Sequence, residues 1–405
     1  MNLQRTHKTD EFTDKGNMSL NVCMLTYSMP PEHSGAAKQA ITLATQLAKN
    51  GVNILFLTQG CYAKNLKIET VSGFNIKRIY KETLFWKVLA PFRFFFYLYK
   101  KRNFFSIIHV HGVGYLAKIA VIFGIIFEKK VILKMTMFSE DDALSIKHGK
   151  NGAINFWFFS RASHYIAITS RFYESCLEAN IRASKVSLIP NGVNTEIFYP
   201  VLYDQKQYLR NKLNLPLNKL ILVYAGIIRP EKGIDFLLDT IERVSHSNTE
   251  AFLLILGPTE KWLPEKEQAY ISEALQRMAI LSDKGLLMYV GNVNNVNEYF
   301  QASDLFVSAS HKEGLQNVLI EAMACGLPPV VINIADMHRA VLSDGNDGII
   351  VDERDVDKFS LEIANLLDDK DKYHKISSAA VNKIRETYSI NMVTKAYINL
   401  YNNLI

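Results

Sequence analysis

The chain has 405 residues, of which 48% are hydrophobic, 11% aromatic and 21% charged, a composition that excludes extended disorder and fits a folded globular protein. The chain is longer than the domains that a single hydrophobic core usually stabilises. Its length therefore predicts two domains with a cleft between them. Residues 1–200 contain 25 Lys/Arg and 13 Asp/Glu, a balance of +12, whereas residues 201–405 contain 21 and 27, a balance of −6.

The basic first half predicts an anionic partner. No zinc-finger spacing, RNA-binding aromatic signature or arginine-rich tail accompanies the charge, so nucleic acid is not expected. A membrane surface or an anionic lipid-linked acceptor fits the charge better. The four cysteines lack paired C-x-x-C spacing, which predicts reduced thiols and a cytoplasmic location. The basic charge extends this prediction to peripheral attachment at the inner face of the plasma membrane.

The first half of the chain has the pattern of a doubly wound parallel sheet. Residues 1–17 are polar and predict a flexible extension, not a cleaved leader. Residues 18–200 alternate short apolar strands with helix-length segments, as such a sheet requires. Strands are predicted at 20–26, 52–58, 107–110, 130–135 and 164–168, with a helix at 36–50.

The second half repeats this scheme. Residues 201–388 predict another Rossmann-like domain, joined to the first near residues 195–215. Its strands are predicted at 220–225, 252–256, 286–290, 305–308 and 329–332, with helices beginning at 234 and 317. The last segment, 389–405, predicts a helix that packs back on the first domain.

Ligands of open parallel sheets bind beyond the carboxyl ends of the strands, where helix N-termini can hold phosphate. Gly35 opens a helix at such a position and would let a diphosphate approach the backbone, although a simple turn glycine is the alternative. His109 and His111 alternate at the end of a strand, and we expect one ring in the sheet packing and the other at the strand tip. A structural histidine and a ligand-contacting His111 both fit this pattern, whereas zinc lacks further ligands nearby.

Two charged groups follow strands of the second half. Arg229 and Lys232 precede a helix whose dipole repels cations, which predicts an anion such as a diphosphate between them. The alternative is a solvated loop. Glu313 and Glu321 are spaced to grip hydroxyl groups of a sugar and a ribose. Glu321 lies in an otherwise apolar helix, where an idle carboxylate would be costly, although two solvated acids remain an alternative.

Residues 77–102 contain eight Lys/Arg, one acid and nine aromatic residues. Cationic stretches with aromatic side chains bind anionic membrane interfaces. A helix whose aromatic side chains face the domain core is the alternative.

Five motifs in order resemble the fourth family of retaining glycosyltransferases, which has the GT-B architecture of two Rossmann-like domains facing a central cleft. The motifs are Ser-Gly at 34–35, His-Val-His-Gly at 109–112, Ile-Pro-Asn-Gly-Val-Asn at 189–194, Arg-Pro-Glu-Lys-Gly at 229–233, and Glu-Gly at 313–314 through Glu-Ala-Met-Ala-Cys-Gly-Leu-Pro at 321–328. The likeness covers residues 20–405 and implies sugar transfer from a nucleotide-diphosphate sugar to a glycan or lipid-linked acceptor, with retention of anomeric configuration.

The resemblance also implies roles for individual residues. Glu321 would hold the ribose, Glu313 the hydroxyls of the donor sugar, and Lys232 the diphosphate. Gly35 would lie against phosphate, and His111 would contact the donor sugar. The residues predicted to act in catalysis are His111, Arg229, Lys232 and Glu313. Those predicted to bind the nucleotide sugar are Gly35, Gly226, Arg229, Lys232, Glu313, Gly314, Leu315, Gln316, Asn317 and Glu321, with backbone N–H groups at 314–316 surrounding the sugar and phosphate. No metal and no cofactor are expected, and the product would be a bacterial-type surface polysaccharide, lipopolysaccharide or glycolipid.

The chain departs from the family pattern in three places. Ile227 stands where the phosphate-binding arginine usually follows the strand, and Arg229 comes two residues later. Ser34 replaces the first glycine of the usual pair. Asp336-Met337 and Ala340 replace the usual Gly-Gly and nearby Glu. These departures motivate a second interpretation, a catalytically silent GT-B subunit that binds within a glycan-assembly complex.

Overall fold

The computed structural model describes residues 20–30, 32, 34–60, 68–80, 84–247, 250–259 and 265–405. The predicted extension at 1–17, Cys61 and residues 81–83 of the basic segment lie outside them. The other three cysteines are free and buried. Within the described ranges, no helix combines the length and apolar character needed to cross a bilayer.

The first sheet has eight strands in the order β3-β4-β2-β1-β5-β6-β7-β8. All neighbours pair in parallel except β3 with β4. The strands are β1 (Asn21–Thr26), β2 (Asn53–Gly60), β3 (Ile68–Val71), β4 (Phe74–Tyr80), β5 (Ile107–His111), β6 (Lys130–Lys134), β7 (His164–Ala167) and β8 (Val186–Leu188).

The second sheet has six parallel strands in the order β11-β10-β9-β12-β13-β14. They are β9 (Leu220–Ala225), β10 (Ala251–Leu256), β11 (Leu287–Gly291), β12 (Leu305–Ser308), β13 (Pro329–Ile332) and β14 (Ile349–Val351). Two mostly parallel α/β sheets with helices confirm the predicted GT-B class.

Both sheets reverse their winding direction at one place. The strand order changes direction between β1 and β5 in the first sheet and between β9 and β12 in the second. Loops diverge at such points and leave a crevice beyond the carboxyl ends of the strands. The predicted site residues flank these four strands.

Fourteen α-helices of the described chain cover the sheets. They are α1 (Gly35–Lys49), α2 (Leu84–Lys101), α3 (Tyr115–Ile126), α4 (Ala143–His148), α5 (Gly152–Phe159), α6 (Ser170–Glu178), α7 (Tyr203–Lys212), α8 (Ile234–Ser247), α9 (Glu265–Asp283), α10 (Val296–Ala302), α11 (Asn317–Ala324), α12 (Val356–Asp368), α13 (Lys370–Lys383) and α14 (Ile390–Leu404). Ser34 caps α1, because its side-chain oxygen accepts a hydrogen bond from the Ala37 N–H at 3.3 Å.

The antiparallel edge of the first sheet was not expected from the sequence. Ser72 and Gly73 both have positive φ, at 51° and 83°. Two successive left-handed residues form the tight turn that matches the twist of a two-stranded hairpin. This turn sends β4 back along β3, so the sheet gains an antiparallel edge strand.

The C-terminal helix α14 crosses from the second sheet to the first and packs against α1. A single π-helical turn, Ile384–Tyr388, precedes it. Val193 fixes the crossing, because its N–H donates to the Tyr388 carbonyl and its carbonyl accepts from the Ile390 N–H, both at 2.8 Å. Gly192 leaves room for this contact, since a Cβ there would lie 2.6 Å from a side-chain atom of Ile390.

Helix α2 divides its aromatic side chains between core and solvent. Phe94 and Leu98 are fully buried, whereas Phe92 and Phe96 are 69% and 68% exposed. One helical face packs on the domain, as the core interpretation predicts, and the other presents rings to solvent beside Lys100 and other cations; binding to a membrane stays a prediction.

Arg210 of α7 joins that helix to the second sheet. Its buried guanidinium donates to the Ala302 carbonyl at 2.9 Å and to the Asp304 carboxylate at 2.6 Å. It also donates to the carbonyls of Leu217 and Lys219, at 3.1 and 3.0 Å. One side chain thus satisfies several acceptors that water would otherwise have to reach.

We expect Arg210→Met to lower the free energy of unfolding by about 3 kcal/mol, because it leaves a partly buried carboxylate and three carbonyls without this donor. Lys206→Met is the matched control: Lys206 contacts the same carboxylate at 2.6 Å from a more exposed position and should cost less than about 1 kcal/mol. Urea denaturation measures both. Equal losses in the two variants would contradict the role given to Arg210.

Candidate active site

Two helix N-termini meet across the cleft between the sheets. The Asn317 side-chain amide, at the start of α11, donates to the Gly35 carbonyl at 3.3 Å, and its oxygen accepts from Asn191 Nδ2 at 2.8 Å. A Cβ on Gly35 would lie 3.0 Å from the Asn317 amide nitrogen, so the glycine permits this close approach. Both helices direct the positive ends of their dipoles toward the same gap.

Glu321 lies in this gap and is only 3% exposed. The Lys38 ammonium of α1 contacts both carboxylate oxygens, at 2.8 and 3.0 Å. Burial raises the pKa of Glu321, and the charge and hydrogen bond of Lys38 oppose that rise. The structure therefore places Glu321 inside the cleft, and it adds Lys38 as a site residue that the sequence interpretation missed.

A signal for Lys38 was present in the sequence. It is a cation in the first turn of α1, where the helix dipole disfavours positive charge. The same argument points to Arg229 and Lys232. The carboxylate partner of Lys38 lies 283 positions away in the chain, so no local pattern joins the two residues.

Lys232 and Glu313 form a second ion pair in the site. The Lys232 ammonium lies 2.7 Å from Glu313 Oε1, and the Ser310 hydroxyl donates to the same oxygen at 2.9 Å. Gly233 makes this approach possible: its φ is 64°, and a Cβ there would lie 2.1 Å from the Ala309 carbonyl oxygen. The loop after β9 is thus held against the loop after β12.

Arg229 lies one turn before Lys232 but points to a different carboxylate. Its guanidinium is 3.4 Å from the Glu231 carboxylate. Nearby, Gly226 packs against Gly257, the residue that follows β10, because a Cβ on Gly257 would lie 1.8 Å from the Gly226 carbonyl oxygen. Arg229, Lys232 and Gly226 therefore share one edge of the cleft, and an anion held between the two cations stays a prediction.

The loop at 314–316 contacts the first domain directly. Gly314 forms an antiparallel bridge with Met137, and a Cβ on Gly314 would lie 2.0 Å from the Thr136 carbonyl oxygen. Leu315 is buried, and the Gln316 amide donates to the Ser308 hydroxyl at 2.9 Å. Only glycine fits at the bridge. Packing against the first domain therefore explains the glycine of the Glu-Gly motif, in addition to the predicted contact of the motif with the donor.

Asp141 positions the loops that the first domain contributes. Its buried carboxylate accepts the N–H groups of Thr136 at 2.9 Å, Met137 at 2.8 Å and Val113 at 3.3 Å, together with the Thr136 hydroxyl at 2.8 Å. Burial raises its pKa to about 6, against the opposing effect of these hydrogen bonds. Within the acidic run at 140–142, the sequence gives no signal that separates Asp141 from a solvated acid.

The two histidines of β5 do not diverge as expected. His109 and His111 lie on the same face of the strand, with ring centroids 4.2 Å apart, because residues two apart share a face. His109 Nδ1 lies 2.8 Å from the Tyr401 hydroxyl of α14. His111 is buried and does not emerge at the strand tip. Burial, then the neighbouring His109 and Lys134, hold its pKa well below the usual value, so the ring is neutral.

Lys134 lies opposite His111 in the parallel register of β5 and β6. Its side chain is buried, and its ammonium is 5.7 Å from the Tyr397 ring centroid. Burial lowers the pKa of Lys134 from 10.5 to about 7. Lys134 is a second residue that no local sequence pattern singles out.

Residues 336–340, where the chain departs from the family pattern, lie in a loop with an unusual backbone conformation. Ala335 and Asp336 have φ of 44° and 60°, the left-handed region that glycine would adopt easily. His338 is buried beneath this loop, with Nδ1 2.7 Å from the Ile332 carbonyl oxygen. Burial lowers its pKa, while the Ile332 carbonyl and the charge of Glu313 raise it. Two residues other than glycine thus adopt left-handed backbone conformations in this loop.

Among the described residues, no three His, Cys, Asp or Glu side chains are grouped as metal ligands would be. The acidic residues Glu321 and Glu313 are instead paired with Lys38 and Lys232.

Family models match both halves of the chain. The model described as Glycosyltransferase Family 4 matches residues 33–197, and the model described as Glycosyl transferases group 1 matches residues 205–383. The D-inositol 3-phosphate glycosyltransferase of Thermobispora bispora is 27% identical over 211 residues, 49% of this chain and 46% of that protein. The UDP-Gal:alpha-D-GlcNAc-diphosphoundecaprenol alpha-1,3-galactosyltransferase of Escherichia coli is 27% identical over 221 residues, 54% of each chain. The matched region is about half the length of these relatives.

Solved structures share the whole architecture. Anabaena Alr3699/HepE in complex with UDP and glucose superposes with a TM-score of 0.76 at 16% identity and covers 95% of this chain and 100% of its own. The sucrose-phosphate synthase of Thermosynechococcus elongatus gives a TM-score of 0.73 at 17% identity, over 95% and 99% of the two chains. At these identities the likeness establishes the fold.

The buried Lys134 should make stability depend on pH. Its pKa in the folded chain is lowered to about 7 from 10.5, so between these values the unfolded chain binds the extra proton and stability rises with pH. We expect the melting temperature of the wild type to rise between pH 7 and 9 relative to that of Lys134→Met. Each pH unit in this window corresponds to about 1.4 kcal/mol.

Lys130→Met, at the exposed first residue of the same strand, is the matched control and should keep the wild-type pH profile. Differential scanning calorimetry across the pH range compares the three proteins. Parallel profiles for the wild type and Lys134→Met would contradict a neutral buried lysine.

Proposed function

We propose that this chain, which belongs to the family 4 and group 1 glycosyltransferases with the GT-B fold, transfers a sugar from a nucleotide-diphosphate donor to an acceptor hydroxyl. One observation supports the proposal most: a buried carboxylate, Glu321, and a lysine–carboxylate pair, Lys232 and Glu313, lie where two helix N-termini meet. Carboxylates that can accept hydrogen bonds from sugar hydroxyls thus lie beside cations and N–H groups that can donate to phosphate, at the switch points of both sheets.

Each group has a chemical task in this proposal. Glu321 accepts the ribose hydroxyls, and Glu313 accepts those of the donor sugar. Lys232 and Arg229, with N–H groups at the start of α11, stabilise the negative charge that develops on the leaving diphosphate. The contact between Gly314 and Thr136 keeps the two domains together and excludes water from the reacting atoms.

We propose retention of configuration without a metal. The bond between the anomeric carbon and the diphosphate oxygen breaks, and the acceptor oxygen bonds to that carbon on the same face. The acceptor proton passes to the leaving phosphate, so no protein base is required. In this proposal the neutral ring of His111 forms a hydrogen bond with the donor sugar and does not supply a positive charge.

Uridine diphosphate is the first nucleotide to test. The Escherichia coli relative is named for a UDP-Gal donor, and Alr3699/HepE was solved with UDP. The same relative is named for a diphosphoundecaprenol-linked acceptor. A lipid-linked acceptor agrees with the basic first half of this chain, and we propose a hexosyl transfer in bacterial-type surface polysaccharide or glycolipid synthesis.

A silent binding subunit is the competing proposal. It is favoured by Ile227 at the usual arginine position and by the pairing of Arg229 with Glu231. It predicts nucleotide binding without turnover unless a partner is added. Product formation by the isolated chain, measured with UDP-sugars and a lipid-phosphate-linked saccharide, decides between the two.

We expect Glu321→Gln to weaken UDP binding on the order of 10-fold, because a hydrogen bond to a charged group is lost. Lys38→Met is the companion variant: it leaves the buried carboxylate without its cation and removes a contact between the domains, so it should weaken UDP binding and also lower the melting temperature. Isothermal titration calorimetry gives both affinities. If Glu321→Gln binds UDP like the wild type, the ribose role is wrong.

The exposed rings of α2 carry the membrane part of the proposal. Phe92 and Phe96 protrude into solvent, Lys100 and Lys101 lie in the last turn of the same helix, and Arg102 follows it. Rings that enter the interface and cations that meet anionic headgroups are the two elements of peripheral attachment.

We expect the protein to bind vesicles containing phosphatidylglycerol at low salt and to be released at high salt, because salt screens the headgroup charge. Phe92→Gln with Phe96→Gln should lower the bound fraction several-fold. Leu202→Gln, at another exposed apolar residue, should leave it unchanged. Cosedimentation measures all three, and binding that ignores salt and lipid charge would refute attachment by this surface.

A further inference from the structure

The C-terminal segment of the chain contacts both domains near the site. Its π-helical turn, Ile384–Tyr388, packs against α11, the helix that carries Glu321. Helix α14 then packs against α1 of the first domain and presents Tyr397 and Tyr401 on one face, since residues four apart in a helix are neighbours. Both tyrosines are fully buried. One continuous segment therefore touches the helix that carries the proposed ribose-binding carboxylate and also the interior of the first domain.

The Tyr401 hydroxyl is hydrogen-bonded to His109 of β5. The hydroxyl oxygen lies 2.8 Å from His109 Nδ1, and both side chains are fully buried. Burial raises the pKa of Tyr401 well above its usual value, so the hydroxyl keeps its proton. Burial, and then the charge of Lys134, hold the pKa of His109 well below its usual value, so its ring is neutral. The bond thus joins two neutral groups, and its loss would leave a buried ring nitrogen without a partner.

His109 in turn lies against His111. Their ring centroids are 4.2 Å apart with an angle of 31° between the ring planes, and the Tyr397 ring lies 5.4 Å from His109 at an angle of 34°. Within the described part of the chain, neither ring nitrogen of His111 has a hydrogen-bond partner. The orientation of His111 is therefore set by ring packing and not by a hydrogen bond of its own.

A histidine in a site usually has one ring nitrogen fixed by a hydrogen bond, which sets the tautomer and the orientation of the ring. His111 lacks such a bond to any described residue, whereas its neighbour His109 has one to Tyr401. Since the two rings are in contact, a rotation of His109 would displace His111. The hydrogen bond that fixes His111 thus lies one ring away, on the C-terminal helix.

We infer that Tyr401 is a positioning residue for the transfer reaction: it holds the ring of His109, and His109 holds the ring of His111 in the orientation that meets the donor sugar. Tyr401 acts only through His109 in this arrangement. The inference rests on the proposed function, because the contact between His111 and the donor sugar belongs to that proposal. It gives the last turns of the chain a part in the reaction besides joining the two domains.

The first test needs no substrate. Nuclear magnetic resonance of isotope-labelled histidine reports the ring nitrogens of the ten histidines of the chain, and His109→Phe and His111→Gln assign the two signals of interest. We expect Tyr401→Phe to shift the signals of both His109 and His111, because one ring nitrogen loses its partner and the neighbouring ring moves. If the signals of His111 stay at their wild-type positions, the inference is wrong.

Tyr397→Phe is the matched control. Tyr397 lies one turn before Tyr401 on the same helix, but its buried hydroxyl has no hydrogen-bond partner among the described residues. The change keeps the ring beside His109 and removes only that hydroxyl, so the signals of both histidines should remain as in the wild type. Equal shifts in Tyr397→Phe and Tyr401→Phe would indicate a general loosening of α14 and would overturn the inference.

The second test measures turnover of UDP-sugars with a lipid-phosphate-linked saccharide. We expect Tyr401→Phe to lower kcat on the order of 10-fold, because a displaced group no longer meets the reacting sugar. The affinity for UDP should stay close to that of the wild type, because Glu321 and Lys232 do not belong to this group of rings. Tyr397→Phe should change neither value. A UDP affinity that falls together with kcat would show that the whole site is lost and would contradict a positioning role.

A double-mutant cycle tests whether Tyr401 acts through His109. In a chain that already carries His109→Phe the hydrogen bond is absent, so adding Tyr401→Phe should change kcat by less than about twofold. A further loss as large as the one that Tyr401→Phe causes in the wild-type background would show that Tyr401 acts by another route, and the inference would be wrong. The melting temperature and the UDP affinity of each variant show that it is folded.

The two tests separate this inference from the proposed function. Wild-type protein that forms no product with any donor refutes the proposed function, and the ring-nitrogen signals still decide whether Tyr401 sets the orientation of His111. Wild-type protein that forms product, combined with unchanged His111 signals in Tyr401→Phe, refutes the inference alone. Shifted His111 signals together with a lower kcat and an unchanged UDP affinity support both.

Discussion

The buried carboxylate of Glu321 imposes the constraint on which the site depends. A charge inside an apolar helix needs a cation or hydrogen-bond donors, and α11 itself offers none at that position. Lys38 supplies the cation from the other domain. The two domains are therefore joined by electrostatics at the same point where the helix N-termini of α1 and α11 converge, and the cleft has a defined geometry without a ligand.

The remaining contacts maintain this geometry by holding loops and not whole domains. Asp141 accepts hydrogen bonds from backbone N–H groups after β5 and after β6. Gly314 of the second domain forms a β-bridge with the loop after β6. Gly233 allows the loop after β9 to touch the loop after β12. Three of these loops follow strands beside a switch point, β5, β9 and β12, and the fourth follows β6, the neighbour of β5. The sheets therefore set the positions of the loops, and the loops carry the functional side chains.

Local sequence patterns predicted most of this fold, because each buried parallel strand is a short apolar run that ends in a turn. The strands at 220–225, 305–308 and 329–332 have the predicted bounds. The β3–β4 edge was missed because it depends on two left-handed residues that no apolar period reveals. His111 was placed wrongly at the strand tip, although the period of a strand puts it beside His109. Lys38 and Lys134 acquire their properties from tertiary burial and distant partners, which local patterns do not contain.

Both acidic residues of the site are already paired with a lysine: Glu321 with Lys38, and Glu313 with Lys232. The free site is thus charge-balanced: its two carboxylates are largely buried, at 4% and 10% exposure, whereas the side chains of Lys232 and Lys38 are 18% and 51% exposed. A nucleotide sugar brings hydroxyls and phosphates together, so it offers hydroxyl partners to the carboxylates and anionic partners to the ammonium groups. A ligand with only one of these groups would leave one member of each pair unsatisfied, at the cost of an unpaired buried charge. The pairing itself therefore favours a ligand that carries sugar and diphosphate in one molecule.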